Sequence, residues 1–576
     1  MILKKDNYKG KVLVLGDDDR SFLTIVRSLG RKNISVHTGW CSPAAFALHS
    51  KYVTKVHHIP PFSLQNDSWK KTLISIFQQE NFDLVIPCND LTMTPLQTYR
   101  KELEKYVPIY LLSDRAFNIT QDKIKTYELA KSNNLPVPKS IIINRNSDIS
   151  KIFSNFKFPI VLKPRLSVTP DDLENKHFVR KVYTKDDLTD YINYILNDNE
   201  EIQVQENFIG TGVGIEVLVD NGEILVVFQH IRVHEPLMGG GSTYRKSAAP
   251  NLELLDATKN LMKSLNYTGV AMVEFKVNFD TGQWIFVEIN GRFWGSLPLA
   301  VSSGVDFPYY LYQLLVNKQR DFPQEYKKGI FCRNFLYDLD WMIQNYHADK
   351  SDKTLATLSY GEVAKEILHI LSFRERSDVF VLDDLGPGGA ELNYLVKVII
   401  SSIRDNFGLL PLSISSIKKK YTQKAQGSIK NANSILFVCM GNICRSPFAQ
   451  YFAQTILPTT VEVLSCGYDT YKGRSSPHEA IAAAKKFGID LTTHRSKVIN
   501  KNLIQNAQAI FVFDEKTRYI VLSRYPSSKK KIHRLGFLVG KKHPIIADPY
   551  GGNLKTFIET YQDIIKALNN VQLKNS

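Results

Sequence analysis

The chain has 576 residues, too many for one hydrophobic core, so three or four domains are expected. Its 43% hydrophobic and 23% charged residues describe an ordinary soluble globular protein. The net charge of +16 admits nucleic acid, an acidic membrane surface or anionic small substrates, and the lack of any recognised nucleic-acid module rules against the first. The N-terminus runs into a strand without a signal-peptide apolar region. No run of about 18 apolar residues occurs, since Leu392–Ile403 is broken by Asn393 and Lys397, so stable membrane insertion is not expected. Six scattered cysteines (41, 88, 332, 439, 444 and 466) form no zinc-ligand pairs and suit a reducing, cytoplasmic setting.

In chain order, Lys11–Gly16 reads as a strand, Phe22–Leu29 as a helix, and Ile34–His37 and Phe82–Pro87 as further strands. This rhythm predicts a small doubly wound domain over residues 1–115. Gly16 is followed by three aspartates and lacks the three-glycine dinucleotide fingerprint, which excludes a nicotinamide site. A helix from Lys123 to about Ala130 and a loop at Asn134–Pro138 lead to the apolar strand Phe158–Pro164, which ends on Lys163. A strand from Glu201 turns outward at Glu206. Strands Gly214–Val219 and Ile224–Gln229, a glycine hinge at Leu237–Thr243, and a hairpin of Gly269–Val277 with Trp284–Arg292 follow.

Period two puts Glu274, Glu288 and Asn290 on one face of that hairpin. Oxygen-only donors suit Mg²⁺, which is commonly held by one or two carboxylates together with substrate phosphates. Lys163 would supply charge for the phosphates. Over about residues 10–320 this constellation resembles the ATP-grasp superfamily, most of all its carboxylate–amine ligases. The resemblance implies a small Rossmann-like pre-domain plus two α+β lobes, the ATP-grasp domain itself covering residues 116–320. It implies ATP and Mg as cofactors, and small carboxylate and amine substrates activated through an acyl phosphate. Lys123 and Lys163 would bind phosphates, and Glu206, Asn207, Phe208 and Ile209 would contact adenine and ribose. Glu274, Glu288 and Asn290 would hold the metal, and Arg292 would face the acyl phosphate. The chain departs from the family where a glycine-rich flap is usual: Arg165–Leu173 contains no glycine, so backbone amides approach phosphates less freely. A non-catalytic nucleotide-binding regulatory module is therefore the alternative for this half.

Residues 321–432 read as a helical extension and lysine-rich linker without chemistry of its own. Tyr337–Tyr346 and Gly361–Leu371 look helical, and a turn at Leu385–Ala390 precedes another helix. Ile417–Lys430 reads as a solvated linker.

Residues 433–576 hold the sharpest signal. Ile435-Leu-Phe-Val-Cys439-Met-Gly-Asn-Ile-Cys-Arg445-Ser-Pro447 is a buried strand, a short loop and a helix entrance. That turn converges backbone N–H groups on one point. The loop dipoles and Arg445 are expected to lower the Cys439 pKa, and the guanidinium fork matches a phosphoryl group. A thiolate under a phosphate cradle is a phosphatase design. The stretch resembles the low-molecular-weight protein tyrosine phosphatases, a four-stranded parallel sheet with helices on both faces that needs no cofactor. Strands Val461–Ser465 and Ala509–Phe513 fit that sheet. The resemblance gives Ser446 a hydrogen bond to the thiolate, and gives Gly441 and Asn442 the support of the phosphate loop. Asp548, in the Asp-Pro-Tyr triplet, becomes general acid. Tyr471 and Tyr550 would line the substrate ring, and His494 and Asp514 would be supporting residues. Cys444 could form a reversible disulfide with Cys439.

Arginine phosphatases of this fold carry Thr where Ile443 stands, and an arsenate reductase would need a resolving cysteine after Cys466, so phosphotyrosine is expected. A phosphotyrosyl protein, with a bacterial tyrosine kinase as one example, is then the partner, and the whole chain reads as a bifunctional phosphatase and ligase.

Overall fold

The computed structural model describes residues 8–571 except 19, 44, 169–172, 174–176, 178, 199–200, 238–239, 349, 351, 353, 368, 370–373, 408–412, 471, 540–544 and 551–552. For residues 186, 194, 197–198, 347, 367, 397–407, 413–418, 420 and 523 it gives the backbone alone. The chain divides into two compact units, residues 1–188 with 195–392, and residues 393–576 with 189–194.

The first unit begins with strands β1 (Lys11–Leu15), β2 (Ser35–Gly39), β3 (Val53–His57) and β4 (Leu84–Pro87), in the order β3-β2-β1-β4 and all parallel. β1 and β4 carry apolar runs because parallel sheets of this kind are covered on both faces. β3 is an edge strand whose central residues are exposed, and it carries no apolar run that would mark it in the sequence.

A second sheet contains β5 (Ser140–Asn144), β6 (Ile160–Pro164), β7 (Arg180–Val182) and β8 (Glu201–Glu206), antiparallel in the order β5-β8-β6-β7. A third has seven strands: β9 (Thr211–Asp220), β10 (Glu223–His234), β11 (Tyr244–Ala248), β12 (Gly269–Val277), β13 (Trp284–Asn290), β14 (Phe331–Arg333) and β15 (Glu375–Ser377). Its order is β13-β12-β9-β10-β11-β14-β15, with only the last pair parallel. The first and third sheets share one apolar core, and the Tyr110 hydroxyl donates to the Val270 carbonyl at 3.2 Å between them. A small parallel sheet followed by two α+β lobes is the layout expected from the sequence.

The stretch expected to be a helical extension holds the helices Phe335–His347 and Tyr360–Ile367 and also adds β14 and β15 to the large sheet. Buried ion pairs fasten it there: Arg333 with Asp338 and Glu375, Arg245 with Asp378, and His234 with Asp338. The turn expected at Leu385–Ala390 is the first turn of the helix Leu385–Phe407. Pro387 is tolerated there because first-turn N–H groups have no helical acceptor in any case.

The second unit holds β16 (Ser434–Cys439), β17 (Glu462–Gly467), β18 (Ala509–Val512) and β19 (Ile532–Arg534), a four-stranded parallel sheet in the order β17-β16-β18-β19. β19 is short, Ile-His-Arg, and carries no apolar run that would mark it in the sequence. The lysine-rich stretch is a helix, Ser413–Asn431, and not a solvated linker. Ala425 and Ile429 are buried in the core of this unit, and Ser428 Oγ meets His533 Nε2 at 2.8 Å. Those small and apolar residues lie four apart, on one face, and Lys419, Lys424 and Lys430 are exposed. Among the described residues no helix is long and apolar enough to cross a membrane.

Candidate active sites

In the second unit β16 ends at Cys439 and the helix Arg445–Ile456 begins six residues later. The loop between them needs one residue in left-handed geometry, and Asn442 takes it with φ 51°. Asparagine tolerates that region when its side chain finds local partners. Here Asn442 Nδ2 donates to Ser446 Oγ at 2.9 Å and to Ser465 Oγ at 2.8 Å, and Oδ1 accepts from the Lys497 amide at 2.8 Å. His494 Nε2 lies 2.8 Å from the Asn442 carbonyl, so the expected supporting network is present. At the end of β17, Gly467 leaves room for this loop: a Cβ there would come 2.6 Å from the Met440 carbonyl and 3.0 Å from the Asn442 nitrogen.

Cys439 Sγ lies 3.0 Å from Ser446 Oγ and accepts from the Asn442 amide at 3.2 Å. Arg445 is buried beside it. Its Nη1 donates to Asp514 at 2.8 Å and to the Ile546 carbonyl at 3.1 Å, and its Nη2 pairs with Asp548 at 2.5 Å. Asp514 also caps the helix Glu515–Arg524 through Thr517 N–H at 2.6 Å, which fixes the guanidinium from behind. Asp548 stands on a loop; the Ile546 amide, bonded to the Phe513 carbonyl at 3.1 Å, brings that loop over the sheet.

Burial pushes the Cys439 thiol up, against Arg445 and the Ser446 hydroxyl, which pull it down. The lowered pKa expected from dipoles and guanidinium is not met in this arrangement, because burial of the thiol outweighs them. Tyr550 is exposed at the rim, its hydroxyl accepting from Arg474 Nη2 at 2.8 Å. Tyr471 lies outside the described residues. Cys444 and Cys466 are buried free thiols.

In the first unit the hairpin register sets Glu274 directly opposite Glu288, and Asn290 Nδ2 donates to both, at 3.4 and 3.1 Å. Lys163 is buried at the end of β6, with Nζ 3.1 Å from the Val287 carbonyl. Burial pushes it down to about 8, against the charges of Glu288 and Glu274. Lys123 Nζ bonds Ser167 Oγ at 2.5 Å. Glu288 is held low against its burial by Lys123 and Lys163, whereas burial raises Glu274. Arg292 Nε pairs with Asp90 at 2.9 Å, at the start of the helix that follows β4. Glu206 accepts from the Lys139 amide at 2.9 Å, and Asn207, Phe208 and Ile209 form the short link from β8 to β9. Of the glycine-free flap, residues 169–172 lie outside the described residues, as do residues 238–239 of the glycine hinge.

Sequence reasoning missed Arg232. It stands on β10, two strands away from Glu274, with β9 between them. β9 carries Gly212 and Gly214 at the crossing, and a Cβ on Gly212 would come 2.4 Å from the Arg232 side chain. The trough lets Arg232 Nη2 reach Glu274 Oε1 at 2.7 Å. The alternation His230, Arg232, His234 on a mostly buried strand was the available signal. Lys276, whose Nζ lies 3.5 Å from the Phe208 carbonyl, and Lys181 were also missed. Burial and the neighbouring Lys276 push Lys181 down to about 8.

Residues 434–574 match the family model "Low molecular weight phosphotyrosine protein phosphatase". The probable low molecular weight protein-tyrosine-phosphatase EpsP of Ralstonia nicotianae is 34% identical over 136 residues, which cover 24% of this chain and 91% of that protein. A protein-arginine-phosphatase of Geobacillus stearothermophilus is 32% identical, over 21% of this chain and 82% of that one. A solved N5-carboxyaminoimidazole synthetase of Staphylococcus aureus, complexed with ADP, is similar over 64% of this chain and 98% of that one, with 14% identity and a TM-score of 0.47.

Proposed function

The chain belongs, through residues 434–574, to the low molecular weight phosphotyrosine protein phosphatases, and we propose that it hydrolyses phosphotyrosyl proteins through a cysteinyl-phosphate intermediate. The observation that carries this reading is the meeting of Cys439, Ser446, Arg445 and Asp548 at one point, with Arg445 shared between the cradle and Asp548 at 2.5 Å.

Cys439 Sγ, its proton passed to solvent, attacks phosphorus in line as the thiolate, and the bond to the tyrosyl oxygen breaks as Asp548 gives that oxygen its proton. The acid role requires Asp548 to be protonated. Protonation releases Arg445 Nη2, which leaves more guanidinium charge for the sulfur and the equatorial phosphoryl oxygens. The Asn442 amide and Ser446 hydroxyl stabilise the sulfur as it leaves again, when water activated by Asp548 cleaves the S–P bond. Buried, apolar Ile443 favours an aromatic ring over a guanidinium substrate, which would need polar partners in the pocket. Steady-state turnover of an aryl phosphate against phosphoarginine tests the choice: the aryl ester is the better substrate, and a phosphoarginine preference would reverse it.

For the first unit the same proposal includes ATP- and Mg-dependent activation of a small carboxylate as an acyl phosphate, for joining to an amine. Two carboxylates and an asparagine on adjacent strands, with Lys163 and Lys123 beside them, are an oxygen donor set that fits Mg²⁺. Bound there, the ion would supply neutralising charge between transferring phosphates. The residues of the chain do the rest: Lys123 and Lys163 draw phosphate oxygens, Asn290 orients both glutamates, and Arg292, fixed by Asp90, receives an anionic acyl group. A second reading, nucleotide binding without turnover, is favoured by the contact of Arg232 with Glu274 and by the glycine-free flap. Incubating the full chain with ATP, Mg²⁺ and pooled amino acids separates the two, since only the ligase releases ADP.

A further inference from the structure

We propose that His37, His57 and Glu80 form a binding site for one divalent transition-metal ion of zinc-like chemistry, separate from both candidate active sites. His37 comes from β2, His57 from the end of the edge strand β3, and Glu80 from the last position of the helix Ser68–Glu80. His37 Nδ1 faces His57 Nε2 at 2.9 Å and Glu80 Oε2 at 3.7 Å, and the three atoms all lie within 4.8 Å of one another. Ligand atoms about 2.0–2.2 Å from a tetrahedral ion stand at spacings of this order, so small side-chain rotations suffice. Both rings stand edge-on to Phe82, at 5.2 and 6.2 Å between centroids, which limits how they can turn. Two imidazoles and one carboxylate suit Zn²⁺, Co²⁺, Ni²⁺ or Cu²⁺, whereas Mg²⁺ and Ca²⁺ prefer oxygen alone.

Two ammonium groups compete for the carboxylate. Lys11 Nζ stands 3.2 Å from Glu80 Oε2, and Lys55 Nζ 2.5 Å from Oε1. The Lys55 side chain is 54% exposed, so it can leave for solvent at small cost when an ion arrives. This competition supplies a distinctive test.

The full chain, stripped with a chelator and desalted, is titrated with Co²⁺ alone and followed by visible absorption and bound-metal content. One ion per chain is expected, with the d–d bands of a low-coordinate nitrogen and oxygen site and without sulfur charge-transfer bands. His57→Gln and Glu80→Gln should each weaken binding by about 100-fold or more, since even outer partners of such ligands are worth 10–100-fold. Lys55→Gln should tighten it roughly three- to tenfold, an effect kept modest by solvent screening. Thermal melts check that each variant folds. The wild-type spectrum and Lys55→Gln keep the test open if a ligand variant does not. Absence of retained cobalt, bands of sulfur ligation, looser binding in Lys55→Gln, or unchanged affinity in both ligand variants would each overturn the assignment.

Discussion

The two charged sites are built in opposite ways. In the second unit the sulfur, its hydrogen-bonding partners and the guanidinium come from the eight residues Cys439–Ser446, and Asp514, Asp548 and the Ile546 carbonyl arrive from elsewhere. In the first unit Lys123, Lys163, Arg232, Glu274, Glu288 and Arg292 come from a helix, four separate strands and the segment after one of them. The difference teaches where each site keeps its balancing charge. The phosphate loop holds a cation and answers it with two carboxylates from distant loops. The hairpin holds two carboxylates and answers one of them with a cation carried across a glycine trough.

Four substitutions or conditions break or sharpen that contrast. The largest effect belongs to Cys439→Ser, which should lower aryl phosphate turnover by about 10⁴-fold or more while leaving nucleotide binding by the first unit unchanged. Turnover near wild type would remove the covalent mechanism. Asp548→Asn should cost about 10²–10⁴-fold in kcat with a poor leaving group and much less with a good one. A loss independent of the leaving group would instead assign Asp548 to holding Arg445. In the first unit, Arg232→Gln takes away the cation that competes for Glu274. It should lower the Mg²⁺ needed for half-maximal nucleotide binding by roughly tenfold, read by titration, and an unchanged requirement would make Arg232 a fixed part of the scaffold.

The smallest effect is on stability. His494 and His533 are both held below the ordinary histidine value by burial, His533 at about 4. A group with a depressed folded pKa adds stability above its unfolded pKa and loses it as pH falls. The melting temperature of the phosphatase unit should therefore be level above about pH 6.5 and drop by several degrees as pH falls toward 4. His533→Gln should flatten part of that drop.

Much of this was legible in the residues alone. The phosphate loop could be read because its chemistry is contiguous: a strand run, Cys439, Asn442, Arg445 and Ser446 specify one local turn whatever surrounds it. The hairpin glutamates could be read because period two fixes which side chains share a face. Tertiary structure decided the rest. Arg232 reaches Glu274 only because β9 lies between their strands and has no side chains at the crossing, an adjacency that strand order sets and local pattern does not. The same is true of Asp514 and Asp548, which reach Arg445 from distant loops, and of the burial that pushes the Cys439 thiol up. It is true also of the lysine-rich helix, whose Ala425 and Ile429 become core residues only where a sheet is present to receive them. Bonding along the chain fixes short-range geometry, whereas the electrostatics of a buried charge depend on every neighbour that folding brings within a few ångströms.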